Sequence, residues 1–265
     1  MIVLVTGVSS GFGKAIAQAL VANGHKVFGT VRRNVDPMEG VTYLQADVQN
    51  DAQIAAAFDQ MMKLTDGRID VFINNAGIGI GGPIEFCKIE DVQKQMDVNF
   101  MGMVRWLSHV VPAMRKQGFG KILCISSIGG LIGLPYQGAY SASKFAMEGF
   151  CDALRLELLK SGVSVSLIEP GDFSTGFTAT RKSVNIEMAS DAYPSYARSL
   201  ASIENDENNG LKPDYLASRI CLIVEKKKPA YRYVVATFLQ RLAIFAKWLL
   251  PAPAFAWVLS IYYKL

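Results

Sequence analysis

The 265-residue chain predicts an α/β fold: a doubly wound, parallel seven-stranded sheet with helices on both faces, in a single domain. Three observations predict it. Short β-branched runs alternate with longer stretches of helical period, the pattern of strand–helix–strand units. Several of the runs are apolar throughout, as strands covered on both faces must be. A glycine-rich turn joins the first strand to the first helix, where a ligand's phosphate can meet a helix N-terminus.

The strands are expected at Ile2–Thr6, Lys26–Val31, Thr42–Ala46, Ile69–Asn74, Lys121–Ser126, Val163–Glu169 and Arg232–Val235. The helices are expected at Gly13–Asn23, Asp51–Leu64, Glu90–Gln117, Ala139–Ser161 and Pro213–Glu225. No internal repeat or low-complexity linker divides the chain, so residues 1–235 read as one domain and 236–265 as an apolar extension. Residues 176–210 are polar and mixed, too long for an ordinary connection, and read as a mobile lid or substrate loop. The extension carries Trp248, Trp257, Tyr262 and Tyr263 among aliphatic residues, but Pro251 and Pro253 interrupt it. A spanning helix needs about 20 uninterrupted apolar residues. The extension therefore leaves open peripheral membrane contact, packing within the molecule or against a partner subunit, and a span.

Hydrophobic residues make up 51% of the chain, which calls for a large core, an exposed apolar surface, or both. The net charge of +4 has no concentrated basic stripe behind it, since Lys226–Lys228 reads as a solvated helix end, so nucleic acid is not an expected partner. Cys87, Cys124, Cys151 and Cys221 form no paired spacing and fit a reducing compartment. With only His25 and His109, neither a metal site nor a Ser-His-Asp triad is expected. Met1 leads directly into the first strand without a basic leader, so a cytoplasmic location, with membrane association open, is the expectation.

The first strand ends in Thr6-Gly7-Val8-Ser9-Ser10-Gly11-Phe12-Gly13. Glycines allow the tight turn and let backbone N–H groups approach a pyrophosphate, while the helix N-terminus adds partial positive charge. Gly7, Ser9, Ser10, Gly11, Phe12 and Gly13 are thus candidate cofactor contacts in a Rossmann domain. The second strand ends Thr30-Val31-Arg32-Arg33, with no acid before Asp36. An acid there would hold a ribose hydroxyl, whereas Arg32 and Arg33 suit a 2′-phosphate, so the expected cofactor is NADP(H). Asp47 and Val48, after the third strand, would lie beside the adenine.

With these and further motifs the chain resembles the short-chain dehydrogenase/reductase family. The glycine spacing TGxxxGxG is that family's form. Asn74-Asn75-Ala76-Gly77, Asn99, Ser126-Ser127, Tyr140-Ser-Ala-Ser-Lys144 and Pro170-Gly171-Asp172-Phe173-Ser174-Thr175 follow in the family's order. The resemblance implies Asn99, Ser127, Tyr140 and Lys144 as the catalytic residues. It places Asn74, Ala76, Gly77, Tyr140, Lys144, Pro170, Gly171, Phe173 and Thr175 on the cofactor. It implies a homo-oligomer, dimer or tetramer, through the helices of Asn99 and Tyr140.

The residue chemistry agrees. Tyr140 and Lys144, four apart on a helix, share a face. A phenol titrates near pH ~10, and a neighbouring ammonium and an oxidised nicotinamide ring, both positive, are expected to favour the phenolate, so that Tyr140 exchanges a proton with a carbonyl or alcohol oxygen. Ser127 would hold that oxygen, Ser126 would point to the other face of the strand, and Asn99 would hold a relay water. Asn75 reads as structural. The stretches Ile128–Pro135 and Tyr140–Phe150 are similar to the 17β-hydroxysteroid and retinol dehydrogenase branch. That implies a hydrophobic ketone, aldehyde or alcohol: a steroid, a retinoid or a keto-lipid. Phe173, Phe177, Met188, Tyr193 and Tyr196 would line its pocket, which has no histidine to grip a distal steroid oxygen. A catalytically silent NADP(H)-binding regulator, or an epimerase or dehydratase on the same scaffold, is the alternative.

Overall fold

The structure, a computed structural model, describes residues 1–176, 180–184 and 186–265. Seven parallel strands form the central sheet: β1 (Ile2–Val5), β2 (Lys26–Val31), β3 (Val41–Gln45), β4 (Val71–Asn74), β6 (Gly120–Ile125), β7 (Val163–Pro170) and β9 (Arg232–Val235). Their order is β3-β2-β1-β4-β6-β7-β9. Winding runs outward to one side from β1 and then to the other from β4. The connections leaving the carboxyl ends of those two paired strands therefore run apart at a switch point, where open α/β sheets form their crevice.

Helices α1 (Gly11–Ala22) and α8 (Pro213–Glu225) cover one face of the sheet, over Val3, Val5, Val27, Val71, Ile73 and Ile168. Helices α2 (Asp51–Leu64), α4 (Gly102–Gln117) and α5 (Gly138–Glu157) cover the other, over Leu4, Phe28, Phe72 and Ile122 around the fully buried Trp106. Alternate residues of one strand thus enter two separate cores, and each fully buried aliphatic side chain contributes about 1.5–3 kcal/mol. All four cysteines are free.

Two expectations need correction. The helix expected over 90–117 is interrupted: α3 (Ile89–Met96) passes into a π turn at Asp97–Met101 before α4 begins. The lid is not loop throughout. After a short strand β8 (Lys182–Ser183), which pairs with β5 (Ile80–Gly81), it forms α6 (Ile186–Ala192) and α7 (Tyr196–Asn208). Tyr196 and Leu200 pack with Tyr136, Phe86 and Tyr193 in a small third core. The extension folds into α9 (Phe238–Leu249) and α10 (Ala252–Tyr262). Among the described residues no helix is long and apolar enough to cross a membrane.

Candidate active site

A cavity of about 360 Å³ opens at the switch point. Its floor is the turn between β1 and α1. Gly7 and Gly11 take φ values of 72° and 53°, in the left-handed region. A Cβ on Gly13 would lie 2.1 Å from the Gly7 carbonyl oxygen, so only glycine lets α1 approach the turn. The Thr6 hydroxyl accepts from the backbone N–H groups of Asn75 (2.9 Å) and Ala76 (3.0 Å). The Asn75 amide donates to the carbonyls of Thr6 (2.8 Å) and Gly7 (3.1 Å). Helix α1 starts at an extended Ser10 whose side chain does not cap it, so its first N–H groups stay available to an anion. This cradle fits a pyrophosphate.

Gly7, Ser9, Ser10, Gly11 and Phe12 line the cavity, as do Arg32, Asp47, Val48, Ala76 and Gly77. On the opposite side stand Pro170, Gly171, Phe173 and Thr175. The rings of Phe12 and Phe173 meet edge-on at 5.0 Å. Three expected contacts are not wall residues: Gly13 packs against the Gly7 carbonyl, Asn74 is buried within β4, and Arg33 is exposed at the end of β2. Asn75 takes the wall position beside Ala76.

Asn99, Ser127, Tyr140 and Lys144 converge on this cavity. The Ser127 hydroxyl accepts from the Gly129 N–H at 3.0 Å and hydrogen-bonds the Tyr140 phenol. The Lys144 ammonium lies 5.7 Å from the centre of the Tyr140 ring and donates to the Ile125 carbonyl at 2.8 Å. Asn99 sits within the π turn, an irregularity that recurs at functional sites. Its Oδ1 accepts from Ile78 N–H (2.8 Å), and its Nδ2 donates to the Ile78 carbonyl (3.1 Å) and Ser143 hydroxyl (3.0 Å). The side chain thereby ties the turn after β4 to α5.

Burial pushes the Tyr140 phenol above its ordinary range, against the pull of the Ser127 hydrogen bond. Desolvation of the phenol thus favours its protonated form in the protein by itself. Burial likewise draws Lys144 down to about 8, with Cys124 and Glu148 opposing.

Sequence reasoning did not anticipate the rest of the wall. Asp172, Asp206, Glu207, Tyr262 and Tyr263 all line the cavity. Tyr262 donates to Asp206 at 3.2 Å, the Gln240 amide to Asp172 at 2.5 Å, and Arg181 pairs with Glu207. Burial, then Glu207 and Asp206, push Asp172 up to about 6. Of the expected substrate contacts, Phe173 lines the cavity, Met188 is exposed, Tyr193 and Tyr196 belong to the third core, and Phe177 lies outside the described residues.

A protein-family model, short chain dehydrogenase, matches residues 1–185. The chain belongs to the short-chain dehydrogenase/reductase family. It is a nicotinamide-linked oxidoreductase acting on CH–OH groups, which sets aside a silent regulator. This short-chain dehydrogenase/reductase is 45% identical over all of its length, and 98% of the relative's, to a 3-ketodihydrosphingosine reductase of Bacteroides thetaiotaomicron. It is 39% identical over 192 residues to human 17-beta-hydroxysteroid dehydrogenase type 1, of which the chain covers 58%. Among solved structures, a short-chain dehydrogenase from Streptomyces avermitilis superposes with a TM-score of 0.81 at 28% identity, covering 99% of this chain and 96% of that one. The closed form of serine dehydrogenase complexed with NADP+ gives 0.77 at 26%, covering 90% and 96%.

Proposed function

We propose that this chain is an NADPH-dependent reductase of long-chain keto-lipids that carry an amine near the ketone. The observation that carries the reading is the acidic wall: Asp172, Asp206 and Glu207 share one cavity with Tyr140 and Ser127. Arg181 already answers Glu207, while Asp172, raised by burial and by its acidic neighbours, stands with Asp206 as the carboxylates that a substrate amine would meet. A neutral steroid or retinoid offers none. The sphingoid 3-ketone that names the 45%-identical relative is an amino ketone on a long hydrocarbon chain, and matches both this wall and the apolar extension. The preference for NADPH rests on Arg32 in the wall at the end of β2, where a guanidinium fork suits a 2′-phosphate and no acid precedes Asp36. The NADP+ complex of serine dehydrogenase supports it.

A bound nicotinamide supplies hydride to the carbonyl carbon. Tyr140, kept protonated by burial, gives its phenolic proton to the carbonyl oxygen, and Ser127 holds that oxygen as negative charge develops on it. Lys144, fixed by Ile125, holds the nicotinamide ribose and places positive charge beside the phenol. The Asn99 amide is committed to Ile78 and Ser143, so a relay water would be held by main-chain atoms of the π turn. Helices α4 and α5 would carry the contact of a homo-oligomer. Residues 236–265 complete the domain of 1–235 and touch a membrane peripherally, on a protein of the cytoplasm.

The test compares two long-chain ketones, one with the neighbouring amine and one without. Above pH 6 the amino ketone should be the better substrate. As pH falls through about 6, Asp172 takes up a proton, and KM should rise for the amino ketone alone. Equal KM profiles for the two would refute the acidic wall as the amine's site.

A further inference from the structure

We propose that the outer face of α9 and α10 seats on an anionic lipid bilayer, so that the substrate enters the cavity from the membrane; this rests on the keto-lipid reading above. A helix on a soluble protein turns its apolar stripe inward. Here the order is reversed. Phe238, Phe245 and Leu249 line one side of α9, at spacings of seven and four, with Trp248 beside them; Trp257 and Ile261 continue the surface on α10. Phe238 is 82% exposed, Trp248 83% and Trp257 66%. What holds the two helices to the domain is in good part polar: Gln240 to Asp172, Tyr262 to Asp206, Lys247 to the Leu131 carbonyl, and Arg198 to the Lys264 carbonyl. The outward aromatic residues are therefore not a core left incomplete. They belong to a surface in its own right.

Charge selects the occupant. Residues 236–265 carry Arg241 and Lys264, besides Lys247 turned inward to Leu131, and not one Asp or Glu, which complements a negatively charged leaflet. Tryptophan beside cations suits the depth of lipid headgroups. Twelve and eleven residues per helix, with Leu250-Pro251 between them, permit lying in the interface plane and not crossing it. A second copy of this chain fits less well, since a two-fold interface must be self-complementary, and this face would oppose cations to cations without an acid to pair them. The surface also leads to the reaction: α10 bears Trp257 and Ile261 outside, and its end delivers Tyr262 and Tyr263 to the wall of the catalytic cavity.

The experiment uses the full chain and vesicles of phosphatidylcholine alone or with phosphatidylglycerol. Co-sedimentation should be roughly tenfold stronger on the anionic vesicles and should weaken with salt. A variant with Phe245→Glu, Trp248→Glu and Trp257→Glu should stay in the supernatant. It should reduce a short, water-soluble ketone at the unmodified rate, which also reports that it is folded, and should lose about tenfold on a keto-lipid embedded in anionic vesicles. If the unmodified chain ignores anionic vesicles, or if the triple variant binds them equally well, the proposal falls. A dimer that the triple variant dissociates, with no vesicle binding, would assign the face to a second copy instead. Intact vesicle binding with no turnover of any ketone would count against the keto-lipid reading and leave the bilayer face standing.

Discussion

The nucleotide wall and the substrate wall of the one cavity are built by opposite means. The first is mostly backbone: a turn whose glycines admit close approach, an uncapped helix end, and the Thr6 hydroxyl and Asn75 amide bonded to main-chain atoms of the neighbouring loop. Its parts sit within a few residues of strand ends. The second is made of side chains brought together from far along the chain, Asp172 with Gln240, Asp206 with Tyr262, and Glu207 with Arg181. Between the walls stand Ser127, Tyr140 and Lys144. The difference teaches where change is tolerated. A rigid backbone cradle permits one cofactor geometry, while a wall of exchangeable side chains can be retuned for a new substrate without disturbing the chemistry.

The largest way to test that division lies at the centre. Lys144→Met should lower kcat about a thousandfold, and in the unmodified protein the rate should fall as pH rises through about 8, where Lys144 loses its proton. A pH–rate profile measures this, and a flat profile between 7 and 9 would argue against a role for the ammonium. Next comes Gly13→Val, which sets a side chain against the Gly7 carbonyl and should cost about 3 kcal/mol by denaturant unfolding or abolish cofactor binding. Arg232→Met should cost nearly as much, about 3 kcal/mol, because it leaves Glu148 and Glu169 buried without the guanidinium they share. Arg32→Ala should weaken NADPH by roughly 1–3 kcal/mol and barely affect NADH, whereas Arg33→Ala, outside the wall, should do little to either. The smallest effect belongs to the substrate wall. Asp206→Asn should raise KM for an amino ketone about tenfold and leave a neutral ketone unchanged. A larger loss there than at Arg32, or a loss for both ketones, would erase the distinction between the walls.

The same division explains what was legible in the sequence. The inner strands were readable because burial on both faces leaves continuous apolar runs, and most of the motifs were readable because they lie at strand ends, with Asn99 and Tyr140–Lys144 on the helices between. The break of the 90–117 helix at Asp97–Met101 was not, since a π turn adds one residue without altering the apolar pattern. In the lid, Tyr196, Leu200 and Ile203 do repeat at helical spacing, but the polar residues between them and the acidic run 204–207 hid it. The extension looked like a core or membrane segment because composition does not tell which side of a helix faces out. No local signal links Tyr262 to Asp206, which are joined only by the fold. The burial of the Tyr140 phenol was hidden for a related reason: spacing puts Lys144 on the same helix face, but its bond to Ile125 and the surroundings of the phenol belong to tertiary structure.

Everything turns on Tyr140 as the proton donor in this cavity. The most direct measurement is Tyr140→Phe, assayed both for NADPH binding by fluorescence titration and for ketone reduction at the nicotinamide absorbance band. NADPH affinity should stay within about twofold while turnover falls at least a thousandfold. Turnover that persists with bound NADPH would contradict the role assigned to the phenol.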